Sequence, residues 1–105
     1  MTRVTLYHSP GGDITGFSCK GHSGYAEEGS DIVCAAVSAL SITCANALCS
    51  VAGVEPEITE KNGFLTARLR EEQLTHDSQV ILRTFEQGIR DMAASYPKYI
   101  SFTTR

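Results

Sequence analysis

Apolar and polar positions alternate from the start of the chain. Over residues 3–8, Val4, Leu6 and His8 fall on one side and Thr5 and Tyr7 on the other, which is the period of a β-strand. Ser9-Pro10-Gly11-Gly12-Asp13 is a turn, because proline and glycine punctuate regular structure. Residues 14–21 resume the alternation, with Phe17 and Cys19 on one face and Lys20 and His22 on the other. The two runs predict an antiparallel hairpin. A glycine-spaced stretch follows, and then the pattern changes. Residues 32–54 carry no charge, and a run of that length reads as a helix. Ser30 or Asp31 is placed to cap it, Gly53 to stop it, and Pro56 follows. Ala35, Ala36, Ala39, Ala45, Ala47 and Ala52 permit close approach of neighbouring backbone. They predict a central helix pressed against a sheet and buried on most sides.

Two more strands, residues 57–60 and 64–69, flank Lys61-Asn62-Gly63, and Asn-Gly between extended runs is a strong hairpin signal. Thr75-His76-Asp77-Ser78 is a cluster of capping residues. The helix after it sets Ile81, Phe85, Gly88, Ile89 and Met92 on one stripe and ends at Tyr96-Pro97. Residues 99–103 read as a last strand, with Ile100 and Phe102 on one face. The order β-β-α-β-β-α-β predicts an α+β fold. It is a two-layer α/β sandwich of five largely antiparallel strands with two helices on one face. Residues 1–105 are expected to form a single domain with one core.

Composition narrows the class. A chain that is 42% hydrophobic and 20% charged is of the soluble globular kind, and a net charge of −3 gives no basic face for nucleic acid. The chargeless run is long enough to raise a membrane span. Its alanine, serine, threonine and cysteine content and the lack of a flanking basic cluster argue against one. MTRVTLYHSP has no apolar core of signal-peptide length, so a cytoplasmic location is expected. In that compartment Cys19, Cys34, Cys44 and Cys49 are expected as free thiols.

The candidate chemistry lies between Gly21 and Gly53. Cys34 falls in the first turn of the long helix, and His22 ends the strand that feeds the loop before it. A thiolate is the nucleophilic form, and a free cysteine ionises near about 8.5. The positive end of a helix and a nearby imidazolium both favour that form. In such a pair the histidine takes the thiol proton and later protonates the leaving amine. Free amides at the helix start, that of Cys34 included, are expected to form an oxyanion hole. Asp31 either orients His22, as a third triad member does, or caps the helix; its position already explains a cap. Cys44 and Cys49 read as core and Cys19 as sheet packing. A zinc site of Cys19, His22 and Cys34 lacks the paired Cys-x-x-Cys knuckles of structural zinc, and no phosphate-binding glycine loop follows a strand. No metal and no cofactor are expected. His8 and His76 have no evident partner.

The combination Gly21-His22, Gly24-Tyr25, Gly29 and Asp31-Ile32-Val33-Cys34-Ala35-Ala36-Val37-Ser38 resembles the ribosomal-processing cysteine protease family, Prp. The likeness in length and element order extends over essentially the whole chain. Ser23 departs from it, standing where relatives often have alanine. The resemblance implies a bacterial endopeptidase that removes the N-terminal extension of a large-subunit ribosomal protein, the twenty-seventh, during ribosome maturation. It places the catalytic histidine on His22 and the catalytic cysteine on Cys34. It also implies a homodimer, and a mobile substrate loop formed here by Gly21, Ser23, Gly24, Tyr25, Glu27, Glu28, Gly29 and Ser30. The implied partner is a ribosomal protein precursor, with no direct nucleic acid. Such proteins are basic, so Glu27 and Glu28 are candidates to steer one in. Two other classes compete: a non-catalytic ribosome-assembly or protein-binding module of the same fold, and a thiol redox protein. The redox class needs a nearby resolving cysteine, and no Cys-x-x-Cys is present.

Overall fold

The alternating runs pair into one sheet. The structure, a computed structural model, describes residues 1–21 and 31–105. Its elements are β1 (Thr2–His8), β2 (Ile14–Lys20), α1 (Ile32–Ser50), β3 (Glu57–Lys61), β4 (Phe64–Arg68), α2 (His76–Ser95) and β5 (Ile100–Thr104). The chain order is the expected one. Across the sheet the strands run β3-β4-β2-β1-β5. Three neighbouring pairs are antiparallel, and β1 and β5 are parallel. Gly12 and Gly63 turn the two hairpins at φ 95° and 73°, the left-handed region that glycine enters without strain.

Register decides which side chains meet the helices. Val4 pairs with Cys19 and Leu6 with Phe17, and β2 continues this face into Leu65 and Ala67 of β4. All six are buried. α1 contributes Val33, Val37, Cys44, Ala45 and Leu48 to the same core, and α2 contributes Leu82, Phe85 and Ile89. The rings of Phe17 and Phe85 stack with centroids 4.1 Å apart. On the stripe expected for α2, Ile81 is only half-buried and Leu82 takes the deep position. The open face of the sheet is polar. Arg68 lies 4.2 Å over the Tyr7 ring there, and Lys20 lies 5.5 Å over Phe64.

α1 departs from expectation. It is buried along one stripe, Val33, Val37, Ser41, Cys44, Ala45 and Leu48, rather than on most sides. Ile32, Ala35, Ala39, Ile42 and Asn46 face out. Cys49, read as core, is exposed as well. The absence of charge concealed this, since an uncharged outer face has no polar period to betray it. α1 is long and apolar enough to cross a membrane, but its stripe packs into the core of the sandwich.

α2 opens with reciprocal bonds. The Thr75 hydroxyl accepts from the Ser78 amide at 3.1 Å, and the Ser78 hydroxyl accepts from the Thr75 amide at 2.9 Å. Gln79, one turn on, brackets the start of β2. Its carbonyl oxygen accepts from the Ile14 amide at 2.7 Å and its amide donates to the Ile14 carbonyl at 2.9 Å. His8, which had no evident partner, sits 3.2 Å through Nδ1 from the Arg105 carbonyl oxygen. His76 Nδ1 lies 3.3 Å from the exposed Asp77 carboxylate.

Candidate active site

The first turn of α1 fixes Cys34. Asp31 is the N-cap, with extended backbone before the helix begins, and its Oδ1 accepts the Cys34 amide at 2.9 Å. Its carbonyl accepts the Ala35 amide at 3.0 Å. Between Ser30 and Asp31 as the capping residue, the geometry selects Asp31, which is buried. This bond corrects one expectation. The Cys34 amide donates to the cap, so it is not the free oxyanion donor that its place at the helix start suggested. Cap and oxyanion hole compete for one amide, and the Asp31 carboxylate, three residues away along the chain, takes it.

Cys34 is half-buried and lines a groove of about 680 Å³. One wall is the outer edge of α1, with Ala35, Ser38 and Ile42. The other is the β3–β4 hairpin, from Glu60 to Leu65, and Thr2, Cys19 and Gly21 also line the groove. The volume is of the size that takes a ligand or a few residues of peptide. Gly21 explains itself here. Its amide donates to the Gly63 carbonyl at 2.7 Å, its φ is 82°, and a side chain would meet the Met1 carbonyl oxygen at 2.8 Å.

The thiols divide by environment. Burial pushes Cys19 up to about 12, partly offset by a hydrogen bond with the Ser41 hydroxyl. Burial raises Cys44 as well. Both are core thiols, as expected, and neither is ionised near neutrality. Cys34 alone among the described cysteines combines the groove with a helix start.

His22, Ser23, Gly24, Tyr25, Glu27, Glu28, Gly29 and Ser30 lie outside the described residues. The described chain stops at Gly21 and resumes at Asp31, and both of these line the groove with Cys34. Sequence reasoning missed the hairpin wall and Thr2. Neither carries a motif, and both reach the groove through strand order that alternation does not reveal.

Comparison with known proteins agrees across the chain. The family model described as cysteine protease Prp matches residues 1–101. The ribosomal processing cysteine protease Prp of Bacillus subtilis is 32% identical over 103 residues, covering 87% of this chain and 92% of the relative. Among solved structures, an essential ribosomal processing protease Prp from S. aureus, in complex with a covalently linked product peptide, matches with a TM-score of 0.93. It is 25% identical and all of both chains is covered. A protein of Streptococcus mutans matches with a TM-score of 0.87 at 27% identity, covering 99% of this chain and 96% of the other.

Proposed function

Since the chain belongs to the cysteine protease Prp family, we propose that it removes the N-terminal extension of a bacterial large-subunit ribosomal protein, the twenty-seventh, with Cys34 as nucleophile and His22 as its base. The observation that supports this most is the half-buried Cys34, held in the capped first turn of α1 and opening on a groove large enough for peptide.

The chemistry runs in two halves. The imidazole of His22 takes the Cys34 proton, and the thiolate adds to the scissile carbonyl carbon. The tetrahedral oxyanion collapses, the C–N bond breaks, and the imidazolium returns the proton to the leaving amine. A thioester remains on Cys34. Water, deprotonated by the same imidazole, adds to it and releases the new carboxyl terminus and the thiol. The S. aureus relative holds a covalently linked product peptide, which fits a nucleophile that bonds to the acyl part of its substrate.

The reading includes a cytoplasmic location, where ribosomes are assembled, and a homodimer. Support for the dimer, beyond the resemblance, is the outer face of α1, where Ile32 and Ile42 are exposed and no charge lies between Asp31 and Glu55. A face without charge does not repel its own copy. Light scattering on the purified chain reads this directly; a monomer at micromolar concentration rejects it.

The deciding experiment is incubation with the N-terminally extended ribosomal protein, read by mass spectrometry, with Cys34→Ala and His22→Ala alongside. Cleavage by the parent and none by either variant is expected. Binding that survives Cys34→Ala while cleavage stops separates a protease from a non-catalytic binding module. Trimming by either variant at the parental rate rejects the pair.

A further inference from the structure

Thr2 holds an anomaly. Its Oγ1 is the one buried side-chain oxygen or nitrogen among the described residues without a hydrogen-bond partner. The residue is only 2% exposed. Its backbone is accounted for, since its amide donates to the Tyr99 carbonyl at 2.9 Å and it stands opposite Ile100 in the β1–β5 ladder. The side chain shares the helix-bearing face with Val4, two positions on. A buried hydroxyl left unpaired costs its full desolvation. Valine has the same shape without that cost, so packing alone gives no reason for threonine here.

Thr2 also lines the groove that holds Cys34. The other buried residues of the groove lining are Cys19, Val37 and Leu65, which are apolar or carry an un-ionised thiol, together with Asp31 and Ser41. The charged Glu60 and Lys61 stand on the exposed hairpin instead. The Ser41 hydroxyl in that lining donates to the Val37 carbonyl at 2.7 Å and the Asp31 carboxylate accepts the Cys34 amide, so among the described residues Thr2 carries the buried hydroxyl of the groove that lacks a partner.

We propose that the Thr2 hydroxyl is a specificity contact, which hydrogen-bonds the polar tip of an otherwise apolar substrate side chain seated in the groove beside Cys34. This rests on the protease reading above. The chemistry it selects is a phenol or a carboxamide on a long side chain. A site that contains an unpaired hydroxyl penalises the isostere lacking the partner group, because both the hydroxyl and its desolvation cost then stay uncompensated. Tyrosine is preferred to phenylalanine, or glutamine to methionine, at one substrate position near the scissile bond.

The test is a set of peptides spanning the cleaved junction of the ribosomal precursor, with Phe/Tyr and Met/Gln exchanged in turn at each position. The parent, Thr2→Val and Thr2→Ser are compared by kcat/KM, and their stabilities by urea denaturation. At one position the parent should favour the polar-tipped peptide by about five- to tenfold, the worth of one hydrogen bond. Thr2→Val should abolish that preference while unfolding at the same or higher urea, and Thr2→Ser should keep it. A preference that survives Thr2→Val, or a parent with no preference at any position, overturns the inference and leaves the protease reading intact. A parent that cleaves no peptide in the set, with a Cys34→Ala protein that binds none, overturns both.

Discussion

The carboxylate of Asp31 holds the backbone amide of Cys34 at 2.9 Å. One side chain thus starts α1 and orients the residue that carries the thiol. An acid at a helix N-terminus is favoured by the free amides and by the positive end of the helix dipole. Asp31→Ala should lower the unfolding free energy by about 1 kcal/mol, and Asp31→Asn by clearly less, since asparagine caps nearly as well. Urea denaturation measures both. The same loosening of the first turn should lower kcat more than it raises KM. An alanine variant as stable as the parent rejects the cap as a stabilising contact.

Accessibility sorts the four thiols. Cys49 is exposed and Cys34 half-buried, whereas Cys19 and Cys44 are in the core. A maleimide applied to the native protein at neutral pH should mark Cys34 and Cys49 and reach the other two only after unfolding. Peptide mapping gives the order. Protection of Cys34 to the same degree as Cys19 would reject its assignment as nucleophile.

Cys19 also sets a pH dependence. Its folded value lies at about 12 against an ordinary 9.0. Between these the folded chain keeps a proton that the unfolded chain has lost, so stability falls as pH rises. The contribution is fully present below about pH 9 and is lost progressively toward pH 12. Comparing parent and Cys19→Ala by denaturation from pH 8 to about pH 10.5 isolates it. The parent should lose stability faster over that range, and equal slopes would show that the thiol is not what titrates.

Two glycines should respond unequally to alanine. At Gly16 a side chain would run into the Ala67 carbonyl oxygen and the Arg68 backbone, which are parts of β4. Gly16→Ala must part β2 from β4 and should cost about 1–3 kcal/mol. At Gly88 the obstacle is the end of the Leu40 side chain, which can turn aside. Gly88→Ala gains helix preference worth up to about 1 kcal/mol and should be near neutral. Urea midpoints of the two variants decide this. Equal losses at both sites would contradict the geometry.

Under the proposed function the substrate is a basic ribosomal protein, and Glu27 and Glu28 are proposed to steer its approach. Exchanging both for glutamine should slow association more at low salt than at high salt, because ions screen steering over about 10 Å at 0.1 M. Stopped-flow association with the extended ribosomal protein measures the rates. A reduction that is the same at every ionic strength would reject a steering role.

Local pattern made much of this molecule legible in advance. Alternation in Val4, Leu6, Phe17 and Cys19 located two strands and their inward face, because a half-buried strand cannot hide its period. Asn62-Gly63 located the second hairpin, since few residues adopt the φ of 73° found at Gly63. Cys34 and Asp31 were legible because a helix start imposes its own chemistry. Strand order was not. That β5 lies parallel to β1, with Thr2 opposite Ile100, depends on contacts between distant segments that leave no local signature. The same reason hid the groove wall at Glu60–Leu65 and the place of Thr2 in the groove. α1 misled because alanine, serine and cysteine suit a buried and an exposed face alike, so Cys49 and Cys44 looked equivalent and are not.

The β1–β5 ladder ties Leu6 to Arg105 and His8 to the same residue by backbone bonds. Until β5 is available, β1 presents a bare row of amides and carbonyls to whatever extended segment drifts past. The chain must therefore search through a very long loop before its sheet is sealed, a step that slows folding and invites strangers. A brief excess of unfinished chains, as in strong overexpression, should show itself as intermolecular β-aggregation rather than as loosened helices.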